Sequence, residues 1–68
     1  MFPLKQIMSL IPENHIITIL DAYDNRLFVA SRPAVIPFKY RDKMVASVVQ
    51  GVDEVTIKLY VMEVDNDE

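Results

Sequence analysis

Few side chains in this 68-residue chain could do chemistry, and their spacing does not favour catalysis. The only histidine, His15, stands two residues after Glu13, at the start of a predicted strand. A nucleophilic triad needs a hydroxyl or thiol beside a positioned base and an orienting acid. The chain has no Cys, and none of its Ser or Thr residues lies in a recognisable nucleophile elbow. We therefore predict that the protein is not an enzyme and has no catalytic residues.

The sequence also lacks the patterns that bind cofactors or metal ions. A glycine-rich phosphate-binding loop is excluded because Gly51 is the single glycine. Residues 65–67 resemble the start of a calcium loop, but the central Gly and the distal Glu have no counterparts. Asp21 and Asp24 flank a predicted turn, where carboxylates usually serve the backbone geometry. We expect no cofactor and no metal site.

Charge is segregated along the chain. Residues 26–43 contain five basic side chains and one acid, whereas the remainder contains two lysines and nine acids. Phe38 and Tyr40 alternate there with basic residues, a pattern that can hold a phosphate backbone and stack bases. The alternative is a solvated turn whose aromatic rings point into the core, and the net charge of −3 favours it. Nucleic acid is therefore the second hypothesis, with contacts at Arg32, Lys39, Arg41 and Lys43.

Composition points to a protein partner. Hydrophobic residues make up 51 % of a chain that is too short to have a large interior. Without Cys there are no disulfides of the kind that stabilise small secreted domains. No apolar run reaches the roughly 20 residues that span a bilayer, so we expect a cytoplasmic protein with no membrane partner. The surplus apolar surface predicts a homodimer, and a further protein partner that the sequence does not identify.

The hydrophobic periodicity predicts a single α+β domain over residues 1–64, followed by a disordered acidic tail over residues 65–68. An N-terminal helix should begin at Pro3 and end before Pro12, and a short second helix should follow Pro37. The predicted order is αββαββ, with four antiparallel strands in a small sheet and both helices on one face. The strands are predicted at residues 15–22, 27–31, 45–50 and 54–64.

The strands carry more apolar residues than one covered face requires. Residues 54–64 alternate between a dry face and a wetter face that still includes Tyr60 and Met62. Residues 15–22 are apolar on both faces. We therefore predict a two-fold dimer that pairs edge strands or outer sheet faces and involves Phe28, Tyr60 and Met62. The alternative is that the basic segment folds over this face and the chain stays monomeric.

Three stretches resemble one family pattern. Leu10-Ile11-Pro12-Glu13 leads into Ile17-Thr18-Ile19-Leu20-Asp21, Tyr40-Arg41-Asp42-Lys43 lies within residues 37–48, and an alternating strand closes the chain. Together they resemble small uncharacterised proteins encoded by bacteriophages and prophages of Gram-positive bacteria. The resemblance implies an origin in mobile DNA, a location in the host cytoplasm and a role as an accessory or interaction protein. It implies no functional residues.

Overall fold

The computed structural model describes residues 2–61, which form a small α+β fold around one four-stranded sheet. The elements are α1 (Lys5–Met8), β1 (Ile16–Leu20), β2 (Arg26–Ala30), a 3₁₀ turn (Pro33–Val35), α2 (Phe38–Arg41), β3 (Val45–Gln50) and β4 (Glu54–Leu59). The predicted α+β class and four-stranded sheet are confirmed, although both helices are short. The predicted tail at residues 65–68 lies outside the described residues.

The prediction of a purely antiparallel sheet is wrong. The strand order is β2-β1-β4-β3, and the two central strands, β1 and β4, run parallel. Each central strand pairs antiparallel with the other strand of its own hairpin, so β2 and β3 form the edges. The sheet is therefore mixed, and the turns of the two hairpins lie at its opposite ends.

The parallel pairing follows from the route of the chain between the hairpins. β2 ends beside the start of β1, whereas β3 begins beside the end of β4. Residues 31–44 must therefore travel along the length of the sheet as well as across it. A crossover of a dozen or more residues is what parallel strands require. The 3₁₀ turn and α2 lie in this crossover, in which the sequence predicted an extended segment up to Pro37.

One face of the sheet carries the hydrophobic core. The alternation predicted from the sequence is confirmed in β1 and β4, where every second residue is buried. Side chains from the chain before α1, from the crossover and from α2 close over this covered face. The buried apolar residues are Leu4, Ile17, Ile19, Ala30, Ile36, Tyr40, Val45, Val55, Ile57 and Leu59.

The turn between β1 and β2 is built around a buried carboxylate. Asp21 is fully buried, and its Oδ1 accepts the backbone N–H groups of Tyr23 and Asn25 at 2.8 and 2.9 Å. The side-chain amide of Asn25 donates to its Oδ2 at 3.2 Å. Asp24 adopts a left-handed φ of 67°, which Asp tolerates better than most residues. The expectation that these acids serve turn geometry is confirmed for Asp21.

We predict that Ile57→Ala lowers the free energy of unfolding by about 2–5 kcal/mol, because Ile57 is fully buried on the covered face. Ile57→Val should lower the free energy of unfolding by about 0.5–1.5 kcal/mol. This milder variant allows the loss of stability to be measured if the alanine variant does not fold. Val52→Ala, at a side chain that is 96 % exposed, is the matched control. Thermal and urea unfolding test this, and equal losses for Ile57→Ala and Val52→Ala would contradict the assigned core.

We predict that Asp21→Ala lowers the free energy of unfolding by roughly 1–3 kcal/mol, because it leaves the turn N–H groups without their acceptor. Asp42→Ala is the control. It removes an ion pair to Lys5 in which the carboxylate side chain is 78 % exposed, so its effect should stay within about 0.5 kcal/mol. Urea unfolding compares the two, and similar costs would show that the carboxylate does not hold the turn.

Candidate functional site

The residues most suited to chemistry are buried and far apart. His15 and Asp21 are the buried polar or charged side chains among residues 2–61. They lie at opposite ends of β1, about 20 Å apart at the rise of an extended strand. The His15 ring is hydrogen-bonded through Nδ1 to Asn14 Oδ1 at 3.0 Å, and the Asp21 carboxylate holds the turn. Neither arrangement forms a catalytic pair.

The described part of the chain contains neither a cluster of metal-ligating side chains nor a helix that could span a membrane. Within residues 2–61, no group of three or more His, Asp and Glu side chains is placed to hold a metal ion. The helices described there are also too short to cross a membrane.

Arg41, one of four predicted nucleic-acid contacts, is bonded to its own crossover. Its Nε donates to the carbonyl of Ile36 at 2.9 Å, and one terminal nitrogen donates to the carbonyl of Ala34 at 3.1 Å. Its guanidinium lies 4.1 Å from the ring centroid of Phe38. Arg41 therefore fixes the 3₁₀ turn against α2 and has fewer donors free for a phosphate.

The other basic residues of this segment are exposed. Lys39 and Lys43 border a small hollow of about 170 Å³, with Tyr40 and Val61 as its other lining residues. Arg32 is also exposed, on the approach to the 3₁₀ turn. The Phe38 ring is 78 % exposed, whereas Tyr40 is buried with its ring centroid 6.3 Å from that of Phe28. One of the two aromatic residues therefore points outward and the other into the core.

The side of the sheet opposite the core, here called the outer face, is not covered by any element of residues 2–61. Its middle row runs across all four strands, since Val29 pairs with Thr18, Thr18 with Thr56, and Thr56 with Val49. Ile16 is 50 % exposed beside this row. β-branched residues in cross-strand pairs suit a pleated surface that is only partly wet.

Of the three residues predicted for the dimer interface, the two that the structure describes, Phe28 and Tyr60, lie on opposite faces of the sheet. Phe28 pairs with the buried Ile19 and belongs to the covered face, beneath Tyr40. Tyr60 follows β4, and alternation after Leu59 places it on the outer side, where it is 54 % exposed. Met62 lies outside the described residues. Of the two described residues, Tyr60 is the one placed at the outer face.

The β3 edge is partly covered and partly open. The N–H of Val45 donates to the carbonyl of Phe2, and the N–H of Leu4 donates to the carbonyl of Lys43, so residues 2–4 cover its beginning. A bulge between Val45 and Ser47 then shifts the register against β4. The remaining edge, residues 46–50, has no strand beside it in the described chain.

The hydrogen bonds of the β3–β4 hairpin show which backbone groups of this open edge face outward. The N–H of Gly51 donates to the carbonyl of Glu54 at 2.7 Å, so the backbone N–H of Gly51 is directed towards β4. Backbone N–H and C=O groups alternate in direction along an antiparallel strand. The backbone groups of Val49 and Ser47 are therefore also directed towards β4. The N–H and C=O groups of Val48 and Gln50 therefore point away from the sheet. These four groups are open to a further strand.

An apolar groove lies beside the open edge on the covered side of the sheet. It has a volume of about 220 Å³ and is mostly apolar, and Leu10 in its wall is 76 % exposed. Its lining comes from α1 and the turn after it, and from β3 and β4. The lining residues are Ile7, Leu10, Ile11, Pro12, Val48, Gln50 and Val55.

The combination of open edge and groove was not predicted from the sequence. Residues 44–52, between Lys43 and Asp53, contain no charged side chain, and this becomes informative once the structure places the strand at an edge. Natural edge strands usually carry charge or Pro that blocks pairing. The second edge, β2, follows this rule better, since it begins at the exposed Arg26 and is followed by Arg32 and Pro33.

Comparisons with protein-family models, with curated proteins and with solved structures found no match to this chain. The outer face and the β3 edge are therefore interpreted from their own geometry.

Proposed function

We propose that the protein is a non-enzymatic interaction module that forms a homodimer through the outer face or the open edge of its sheet. The observation that carries the proposal is the one-sided covering of the sheet. In residues 2–61 the helices and the crossover close over one face, while Ile16, Val29 and Val49 on the other are 44–65 % exposed. The groove beside β3 adds further exposed apolar surface at Leu10.

Self-association suits this fold because a chain of this size gains stability by burying more apolar surface. A sheet of four strands with helices on one side has a thin core, and pairing with a second copy thickens or extends it. The basic crossover does not provide this cover, since its Ile36 and Tyr40 side chains are buried in the core on the covered side. This arrangement favours a dimer over a monomer closed by its basic segment.

The proposed cellular location and role follow from the resemblance to small bacteriophage and prophage proteins. A compact module of this kind would act in the host cytoplasm as an accessory protein, and a host or phage protein would be its further partner. A pull-down from a host lysate tests this part of the proposal, with an Ile16→Glu variant as the matched bait.

We predict a mass of twice 7.8 kDa by light scattering at tens of micromolar, falling towards the monomer mass on dilution. Ala34→Glu is the control, since it adds a charge on the exposed crossover, away from the outer face and the β3 edge. It should leave the mass unchanged. A mass of 7.8 kDa that does not change with concentration would rule out the homodimer.

Nucleic-acid binding through the basic segment is the second candidate function. The exposed Phe38 ring beside Lys39 favours it, because an exposed aromatic next to a cation can stack on a base. The engagement of Arg41 with carbonyl oxygens weighs against it. We therefore place it behind the interaction module.

We predict no measurable binding of labelled single-stranded or duplex DNA by fluorescence anisotropy at an ionic strength of about 0.15 M. Weak binding at lower salt should disappear as salt rises, since contacts to about four phosphates would give a log–log slope of roughly −3 to −4 on duplex DNA. Lys39→Glu tests the segment and Lys5→Glu is the control outside it. Micromolar binding at about 0.15 M that Lys39→Glu abolishes and Lys5→Glu preserves would favour the second candidate.

A further inference from the structure

We infer that the open part of β3 pairs antiparallel with β3 of a second copy, around a two-fold axis through Val49, to make one continuous eight-stranded sheet. The inference rests on the proposed homodimer and goes beyond it by naming the surface, the register and the residue on the axis. Addition of a strand to an exposed edge is a common mode of protein recognition.

The register follows from the direction of the backbone groups. Val48 and Gln50 have their N–H and C=O groups directed away from β4. An axis through Val49 sets Val48 of each copy opposite Gln50 of the other, so every one of these groups finds a partner. An axis through Val48 would need Ala46, which lies in the bulge next to the part of the edge covered by residues 2–4.

The side chain on the axis suits contact with its own copy. Val49 is 65 % exposed on the outer face. Two copies of Val49 would form a pair without direct backbone hydrogen bonds, the geometry in which opposite side chains approach most closely. Two β-branched apolar side chains stabilise such a pair, whereas two like charges would repel.

The charges along β3 identify a second copy as the occupant. A residue on or near a two-fold axis faces its own copy, so any charge there would meet the same charge. Residues 44–52 carry none. Beyond them, the ends differ in sign, with Lys43 at one end and Asp53 and Glu54 at the other. Antiparallel pairing brings the basic end of one copy towards the acidic end of its partner.

The groove beside β3 enlarges the contact. Pairing of a few residues along a strand edge buries little surface, and stable dimers bury about 800 Å² per partner. On the covered side of the sheet, the wall formed by Leu10, Ile11 and Pro12 flanks Val48 and Gln50. The two-fold axis brings the two copies of this wall towards each other, which would cover Leu10.

The test uses opposite charges on the axis. Val49→Lys and Val49→Glu should each raise the dimer dissociation constant about tenfold or more, because the same charge then faces itself. Mixed in equal amounts, they should form a heterodimer, because Lys then faces Glu. Val29→Lys and Val29→Glu, on the outer face at the other edge, distinguish the two surfaces: alone or mixed, they should leave an edge-paired dimer unchanged, and they would disrupt a dimer paired through the outer face. Sedimentation velocity measures the masses, and circular dichroism checks that each variant is folded.

Hydrogen exchange of the wild type gives an independent readout. The amides of Val48 and Gln50 should exchange slowly at high protein concentration and quickly on dilution. A wild-type dimer that survives both Val49 variants but is dissociated by charges at Val29 would overturn the edge pairing and keep the homodimer, through the outer face. A wild type that is monomeric at every concentration would overturn both. A monomer whose Val48 and Gln50 amides become protected only when an extended peptide is added would assign the edge to a different protein.

Discussion

The parallel pairing of β1 and β4 is the constraint on which the rest of this fold depends. These two strands contribute Ile17, Ile19, Val55 and Ile57 to the core, and all four are almost completely buried. Strands with so much apolar surface are most stable at the centre of a sheet, where both neighbours exclude water from the backbone. Their antiparallel partners then occupy the edges, and the chain between the hairpins must cross the covered face. The helices, the crossover and the two unequal edges all follow from this central pair.

The sequence predicted the local alternation well, because the period of a strand is encoded in neighbouring residues. Burial of Ile57 and exposure of Glu54 follow directly from it. The relative direction of the hairpins is not encoded locally. It depends on where the crossover delivers β3, and that route is fixed by contacts between residues distant in the sequence, such as the hydrogen bond from the N–H of Leu4 to the carbonyl of Lys43. Pro33 and Pro37 led to the prediction of an extended connection. In the structure, Pro33 is instead the first residue of a 3₁₀ turn.

The candidate interface was harder to predict than the core, because exposure depends on strand order. Phe28 looked suited to an outer face from its type alone, but its pairing with Ile19 places it under Tyr40. β3 could be recognised as a strand from its β-branched residues, yet nothing in its composition indicated that it would be an edge. Only after the order β2-β1-β4-β3 is known does the absence of charge in residues 44–52 acquire a meaning. A central strand needs no charge, whereas an edge strand without it is open to pairing.

The cover on the first part of β3 limits what the edge can accept. Residues 2–4 pair with the chain around Met44, and the bulge before Ser47 reverses which backbone groups face outward. Without that bulge, Ser47 and Val49 would direct their groups outward in phase with Val45, in place of Val48 and Gln50. Because residues 2–4 already cover the edge up to Val45, an added strand can pair only beyond it. The bulge therefore makes Val48 and Gln50 the residues whose backbone groups are available there, and this confines an added strand to a short stretch in which the register is defined.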